Sequence, residues 1–220
     1  MPSLAYEKEA GCLVAGVDEA GRGPIAGPVV AAAVILPVRG IPRGIDDSKA
    51  MTAAEREKVL AKIERSSIVG VGVASVHEID QINILQASLL AMRRAVMAMP
   101  VCPRAILVDG NKLPYDLPCP ARAIIGGDAI SRSVAAASIV AKVVRDRIMD
   151  ALAQSYPGFG WDHNRGYSTP DHKDALNRLG VTPHHRRTFA SVRIALGEQI
   201  ESTDRQLNLL IPQEDWPPGA

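Results

Sequence analysis

The chain has 220 residues, a length typical of one domain with a short extension, and it is 47% hydrophobic and 22% charged, as ordinary globular proteins are. This composition excludes the collagen-like, coiled-coil and intrinsically disordered classes. The net charge of +1, from 25 basic and 24 acidic residues, excludes a chain that is basic along its whole length but permits a local basic groove.

The location of the protein is predicted from three features of the sequence. No apolar run approaches the roughly 20 residues of a membrane span, and the charged segment 1–10 lacks the hydrophobic stretch of a secretory signal. The cysteines Cys12, Cys102 and Cys119 are odd in number and form no C-x-x-C pair, which disfavours a disulfide scaffold or a zinc site. We therefore expect a cytoplasmic protein that has no membrane segment.

The hydrophobic segments, taken in chain order, predict an α/β fold. Strands are predicted over 12–18 and 28–36, and the link between them is short enough for a hairpin-like turn. Thr52 and Glu55 have the spacing of a capping box, which predicts a helix over about 53–65. Next come a strand over 67–75 and a helix over about 79–98, whose apolar stripe comprises Ile79, Ile82, Leu85, Leu89 and Met92.

The second half of the chain alternates between strand and helix. Strands are predicted over 104–109 and 121–125, and an alanine-rich helix over about 131–153. This order indicates a mixed sheet that is flanked by helices. We expect one domain over 1–198, ending in a helical segment, and a flexible tail over 199–220, because its end is rich in proline and acidic residues.

Four acidic residues stand where predicted strands end. Asp18 and Glu19 end the first strand, Asp109 ends the fourth, and Asp128 follows the fifth. The carboxyl ends of strands in an open α/β sheet meet at the edge where ligands bind. Carboxylates gathered there repel one another unless a cation neutralises them, and an all-oxygen set suits Mg²⁺ or Mn²⁺. Four acids can hold two such ions, an arrangement used in phosphoryl transfer.

The glycine segment 21–27 permits two interpretations. Gly21, Gly23 and Gly27 loosely fit a dinucleotide-binding pattern, which would make the protein an oxidoreductase, but that pattern requires a helix where a strand is predicted. The alternative is a turn whose bare backbone approaches a nucleic-acid sugar, with Arg22 beside a phosphate.

A third hypothesis is a binding module, in which the acids are structural and the basic stretch 163–193 merely holds a nucleic acid.

Six motifs in order along residues 12–193 carry a family resemblance. The segment GVDEAGRGPIAGP at 16–28 resembles the opening motif of bacterial ribonuclease HII, and Asp47-Ser48-Lys49 resembles its D-S-K loop. LVDGN at 107–111 resembles the V-D-G-N strand end, and GD at 127–128 with SVAAASIVAKVVRD at 133–146 resembles the next block. GYSTPDH at 166–172 and HRRTF at 185–189 resemble the last two motifs.

The resemblance implies an RNase H-like fold with a five-stranded sheet and a metal-dependent endonuclease. Such an enzyme cleaves the RNA strand of RNA–DNA hybrids and nicks at single ribonucleotides embedded in duplex DNA, which starts their removal. It leaves 5′-phosphate and 3′-hydroxyl ends, and two ions of Mg²⁺ or Mn²⁺ take part. By motif position, the catalytic and metal-binding carboxylates are Asp18, Glu19, Asp109 and Asp128. The resemblance further suggests a monomer.

The same resemblance assigns substrate contacts. The backbone around Gly21, Arg22 and Gly23 would contact the 2′-hydroxyl that distinguishes RNA from DNA. Tyr167 would pack on the adjoining sugar and test the RNA-to-DNA junction. The remaining predicted substrate contacts, mainly to phosphates, are Ser48, Lys49 and Asn111.

Comparison with these motifs leads to expectations for several further residues. Gly126 stands where the family commonly carries lysine, a departure that removes a positive charge but no ligand. Asp146 is expected to pair with an arginine rather than bind metal. Gln206–Leu210 is similar to the short peptides that dock on bacterial sliding clamps, although an ordinary amphipathic end is the alternative. The histidines expected to lie in loops or near phosphates are His163, His172, His184 and His185.

Overall fold

A computed structural model describes residues 2–199 of the chain. It contains five strands, β1 (Val14–Ala20), β2 (Val29–Ile35), β3 (Ile68–Ala74), β4 (Ala105–Asp109) and β5 (Ala121–Ile124). The longer helices are α2 (Ala53–Ser66), α3 (Val76–Met97), α5 (Arg132–Ser155) and α7 (Pro170–Leu179). The shorter ones are α1 (Ala5–Ala10), α4 (Gly127–Ile130), α6 (Trp161–Asn164) and α8 (Ala190–Ala195).

The strands form one mixed sheet in the order β3-β2-β1-β4-β5. β2 is antiparallel to both β1 and β3, whereas β1, β4 and β5 run parallel. The predicted mixed five-stranded sheet with flanking helices, and the hairpin of its first two strands, are thus confirmed. The three parallel strands end at the same edge of the sheet, and this edge carries the acidic residues.

Helices cover both faces of the sheet because residues alternate along each strand. Val69 and Val71 of β3 pack against a core that includes residues of α2 and α5. The alternate residues Gly70 and Gly72 face α3, and a Cβ on Gly72 would lie 2.1 Å from the carbonyl oxygen of Ala91. Close packing of α3 on the sheet therefore requires glycine at this position.

One predicted helix, α2, begins as expected, whereas another, α3, contains a break. The α2 capping box is confirmed: the Thr52 hydroxyl accepts a hydrogen bond from the Glu55 amide, and the Glu55 carboxylate accepts one from the Thr52 amide. The second predicted helix is interrupted, since Asn83 has a left-handed conformation (φ 66°) inside α3. Ile82 consequently leaves the predicted apolar stripe and is 37% exposed.

The chain divides into two compact units. The first comprises residues up to Arg22, Val29–Ala74 and Ile84–Arg145, and it contains the whole sheet. The second comprises Gly23–Pro28, Ser75–Asn83 and the chain from Asp146 onward. The single domain expected over 1–198 stays a prediction, and the expected tail lies outside the described residues from position 200.

The second unit has its own apolar core. One cluster of buried side chains comprises Ala26, Met149, Phe159, Trp161 and Ala175. Within residues 2–199, no helix combines the length and the apolar composition needed to cross a membrane.

Candidate active site

The site is built on the carboxyl ends of the three parallel strands. β1 and β4 are paired with Val17 opposite Val108, so Asp18 and Asp109 are the next residues along the two strands. Glu19 follows Asp18 in β1, and Asp128 lies in the first turn of α4, directly after β5 and a left-handed turn at Gly126 (φ 65°). The fold therefore brings all four predicted carboxylates to one edge of the sheet.

Each carboxylate is held by a nearby donor. The Gly127 amide donates to Asp109 Oδ1 at 2.6 Å, and the Glu19 amide donates to Asp18 Oδ1 at 2.7 Å. The Ala129 amide donates to Asp128 Oδ1 at 2.9 Å. The Arg22 guanidinium donates to Glu19 Oε1 at 3.3 Å, whereas Glu19 Oε2 is buried and has no hydrogen-bond partner.

Burial and mutual repulsion perturb these acids. Burial raises the pKa of Asp18 well above its ordinary value, and the charges of Glu19, Asp109 and Asp128 raise it further. Burial also raises the pKa of Glu19, with the Arg22 charge opposing and the Asp109 charge adding to the effect. The pKa of Asp109 is raised by burial and by Asp128, while Lys49 acts against the rise. The acids thus lie close enough to repel one another, as cation-binding carboxylates do before the cation binds.

The donor set fits a hard divalent cation. All four side chains offer oxygen, the ligand that Mg²⁺ and Mn²⁺ prefer, and the unpartnered Glu19 Oε2 is a buried acceptor that a cation would satisfy. Among residues 2–199, no three His, Cys, Asp or Glu side chains are grouped so as to hold an ion by themselves.

Two buried serine hydroxyls extend the hydrogen bonding of Asp18 into the core. The Ser138 side chain in α5 hydrogen-bonds to the Asp18 carboxylate, which opposes the rise of its pKa. Ser138 Oγ in turn lies 2.8 Å from Ser48 Oγ. α5 can approach β1 this closely because Gly16 has no side chain: a Cβ there would lie 2.1 Å from the backbone carbon of Ser133.

The predicted substrate residues differ in exposure. Ser48 is 4% exposed and its hydroxyl faces Ser138, whereas Lys49 and Asn111 are exposed. Arg22 is exposed over about half of its side chain, at 54%. In the second unit, a Cβ on Gly23 would lie 3.3 Å from Cε1 of Tyr167, so glycine lets this ring approach the backbone closely. The substrate roles of these residues and of Gly21 stay predictions.

The dinucleotide interpretation of the glycine segment is wrong. A dinucleotide site needs a helix directly after the glycines, with its N-terminus at the pyrophosphate. Residues after Gly27 instead form β2, which pairs antiparallel with β1.

The expectation that the four histidines lie in loops or near phosphates is wrong for His172; His185 does lie in the connection between α7 and α8, but it is buried. His172 belongs to α7 and is 0% exposed, and His185 is 1% exposed. Both are buried because they hydrogen-bond to each other, with Nε2 atoms 3.1 Å apart. The predicted pairing of Asp146 with an arginine is confirmed, since Arg165 Nε lies 3.9 Å from Asp146 Oδ1.

Sequence reasoning missed Ser138 and the bond between the two histidines. Ser138 is a single hydroxyl within the apolar run 134–141 of α5, and that isolation was the available signal. The partners of His172 and His185 are set by tertiary packing, for which the sequence carries no local signal.

Comparison with known proteins gives a consistent result. The family model described as Ribonuclease HII matches residues 15–192. A ribonuclease HII of Parvibaculum lavamentivorans is 53% identical over 219 residues, covering 96% of this chain and 81% of the relative. The crystal structure of ribonuclease H2 from Pyrococcus horikoshii has a TM-score of 0.70 and 32% identity, covering 83% of this chain and 96% of that one.

A second solved structure is a complex. The ribonuclease HII in the PCNA:RNase HII complex from Archaeoglobus fulgidus has a TM-score of 0.67 and 26% identity, covering 87% of this chain and 99% of that chain. The match of the family model over most of the chain, the identity to a full-length relative and the shared RNase H fold agree. This chain belongs to the ribonuclease HII family and is a hydrolase of the ribonuclease H2 type.

Proposed function

We propose that this protein is an endonuclease that cleaves the RNA strand of RNA–DNA hybrids and nicks duplex DNA at single embedded ribonucleotides, leaving 5′-phosphate and 3′-hydroxyl ends. The observation that carries the proposal is the set of mutually repelling carboxylates at the ends of β1 and β4 and at the start of α4. Together with the family membership, these acids favour phosphodiester hydrolysis over a purely structural or binding role.

Asp18, Glu19, Asp109 and Asp128 would hold Mg²⁺ or Mn²⁺, with two ions in the reactive complex. When bound, these ions supply positive charge at the scissile phosphate. The chain's own contribution is positioning: the Gly127 amide orients Asp109, the Ser138 hydroxyl orients Asp18, and Arg22 orients Glu19. Preorganised charge of this kind is the main source of catalysis in phosphoryl transfer.

Recognition of the ribonucleotide is assigned to the glycine segment and Tyr167. The backbone around Gly21, Arg22 and Gly23 would contact the 2′-hydroxyl, because glycine leaves room for a sugar to approach. Tyr167 lies against Gly23, where its ring would meet the neighbouring sugar. An aromatic face packs better on a deoxyribose than on a hydroxylated sugar, so this ring would favour DNA after the ribonucleotide.

The remaining substrate contacts follow from charge and exposure. Lys49 and Asn111 are exposed, and the charge of Lys49 acts on Asp109, which places this lysine near the acids. We assign phosphate contacts to both residues. Ser48 would act there through its backbone, since its hydroxyl is bonded to Ser138.

Two further proposals concern partners and location. Gln206–Leu210 would dock on a sliding clamp, and the PCNA complex of the Archaeoglobus relative supports a partner of this kind. This segment lies outside the described residues. We also propose a cytoplasmic monomer that acts in the removal of ribonucleotides from DNA.

The test of the proposed activity uses an end-labelled DNA duplex with one ribonucleotide, incubated with Mg²⁺ or Mn²⁺. We expect one nick at the ribonucleotide, with a 3′-hydroxyl end. Asp109→Asn should reduce cleavage more than 10-fold, since loss of even an outer partner of a metal ligand costs roughly 10- to 100-fold and Asp109 would hold the ion directly. The exposed Asp174→Asn is the matched control. Equal activity of both variants would refute the assignment of the acids.

The test of Tyr167 compares two substrates. Tyr167→Ala should reduce cleavage at a single embedded ribonucleotide more than cleavage of a long hybrid, because only the first substrate presents a junction at every productive position. Equal losses on both substrates would contradict the junction role.

A further inference from the structure

The second unit contains a buried network of polar rings that ends at the backbone of Tyr167. Trp161 Nε1 donates to His172 Nε2 at 3.0 Å, and His185 Nε2 lies 3.1 Å from the same nitrogen. His172 Nδ1 lies 2.7 Å from the carbonyl oxygen of Tyr167. At the far end, His185 Nδ1 faces the amide and the hydroxyl of Thr182 at 3.0 and 2.9 Å.

The hydrogen-bond partners of each imidazole determine which of its two nitrogens carries the proton. An indole N–H only donates, so His172 Nε2 is an acceptor and the proton of His172 is on Nδ1, where it donates to the Tyr167 carbonyl. A backbone amide also only donates, so His185 Nδ1 is an acceptor and the proton of His185 is on Nε2, where it donates to His172. Two neutral histidines in these tautomers are therefore consistent with every contact, with Trp161 and His185 sharing the single lone pair of His172 Nε2 in a three-centre hydrogen bond.

Burial keeps both rings neutral. Loss of hydration lowers the pKa of His172, and it lowers the pKa of His185 to about 3, with the neighbouring His172 and His184 adding to the effect. The directional bonds therefore persist at neutral pH. Since an unpaired buried polar group is costly, the network specifies one arrangement of its members.

Tyr167 is held from both sides of its backbone. Its amide donates to the carbonyl oxygen of Asn164 at 2.9 Å, and its carbonyl accepts from the Thr169 amide at 2.9 Å and from the His172 side chain at 2.7 Å. Asn164 is itself fixed, because its side chain donates to the Phe159 carbonyl at 2.7 Å and accepts from the Gly166 amide at 2.8 Å. With its backbone held in this way, the Tyr167 ring lies against Gly23.

We propose that His172, oriented by His185 and Trp161, is a positioning residue for Tyr167 and thereby sets how strongly the enzyme prefers a single embedded ribonucleotide over a continuous RNA strand. This inference rests on the proposed function, in which Tyr167 tests the junction. It goes beyond that function by assigning part of the selectivity to side chains that never meet the substrate. Removal of the His172 donor would leave the Tyr167 carbonyl with the Thr169 amide but without its side-chain donor, and this loosening would let the ring move relative to Gly23.

The experiment measures a selectivity ratio, kcat/KM on a single-ribonucleotide duplex divided by kcat/KM on a long hybrid. His172→Leu should lower this ratio about 10-fold, the equivalent of one hydrogen bond. His172→Asn should restore much of the ratio, because its amide nitrogen stands near the position of Nδ1. Exposed His163→Ala, with a side chain that bonds only to Asp162 among the described residues, is the matched control and should leave the ratio unchanged.

A double-mutant cycle distinguishes positioning from simple support of the fold. If His172 acts through Tyr167, then His172→Leu should change the ratio less than about 2-fold when Tyr167→Ala is already present. Equal losses on both substrates, or the same loss of ratio with and without Tyr167, would overturn the inference. An unchanged ratio in Tyr167→Ala alone would instead refute the junction role in the proposed function.

Failure of His172→Leu to fold, monitored by circular dichroism, would not end the test. His185→Gln keeps a donor near Nε2 but removes the bond to Thr182. It therefore disturbs the orientation of His172 without changing His172 itself. Its ratio should fall in the same direction, by a smaller factor. A folded His185→Gln with the wild-type ratio would contradict the proposal.

Discussion

The buried histidines should make the fold sensitive to acid in a way that one substitution can isolate. His185 has an ordinary pKa of 6.5 when unfolded, and burial lowers its pKa to about 3 in the folded protein. Between these two values the unfolded chain binds a proton that the native protein does not bind. The contribution of His185 to the free energy of unfolding must therefore fall as the pH falls below about 6.5.

The size of the effect follows from the two pKa values. One pH unit is equivalent to about 1.4 kcal/mol. Titration of His185 alone should therefore remove roughly 2 kcal/mol from the free energy of unfolding between pH 7 and pH 5. Asp18, Glu19 and Asp109 act in the opposite direction, because their raised pKa values let the native state take up protons first. The histidine contribution must thus be measured as a difference between two proteins that share these acids.

The assay is urea unfolding of the wild type and His185→Gln at several pH values, without divalent cations. The carboxylate contributions are common to both proteins and cancel. We expect the wild type to lose roughly 2 kcal/mol more than the variant between pH 7 and pH 5. Parallel pH profiles for the two proteins would refute the argument that His185 is neutral and buried in the native state.

Three further predictions concern the first unit. Asp109→Asn should raise the Tm in the absence of divalent cations, because it removes one of the repelling charges; an unchanged or lower Tm would contradict the electrostatic account. Gly126→Lys should tighten duplex binding severalfold at low salt, measured by fluorescence anisotropy on the Asp109→Asn background, since an added phosphate contact is salt-dependent. Gly126→Gln, which has the same left-handed backbone strain, should not. Gly16→Ala should cost about 1–3 kcal/mol in urea unfolding, because its Cβ would overlap the backbone of Ser133.

The strands could be predicted because their signals are local. The run 28–36 is apolar over its whole length, as a strand that is covered on both faces must be, and every residue of β2 is buried. The capping box at Thr52 likewise needs only four residues. The break at Asn83, where φ is 66° and ψ is 165°, escaped prediction because the neighbouring residues continue the helical pattern.

The carboxylate edge could be predicted for a topological reason. Parallel strands place their carboxyl ends together, so acidic residues at the ends of these strands must lie at the same edge of the sheet. Chain position alone does not reveal what lies beneath those acids. Ser48 and Ser138 are 90 positions apart, and only the packing of α5 on β1 brings their hydroxyls together.

The burial of His172 and His185 likewise could not be predicted from the sequence. A histidine near a basic stretch is expected in solvent, since nothing in its local sequence indicates a partner. Inside the fold, His172 finds partners in Trp161 and the Tyr167 carbonyl, and His185 finds partners in His172 and Thr182. These partners are brought together by tertiary packing, so the burial of the two rings is a property of the whole cluster.

The acids and the histidines place opposite demands on the same chain. The acids repel one another, and Glu19 keeps a buried oxygen without a partner, so the edge of the sheet is unfavourable until a cation binds. The histidine network needs no ligand, because Trp161, Thr182 and the Tyr167 carbonyl supply its partners within the second unit. The acidic edge should therefore gain stability when a divalent cation binds, whereas the histidine network should not depend on that cation.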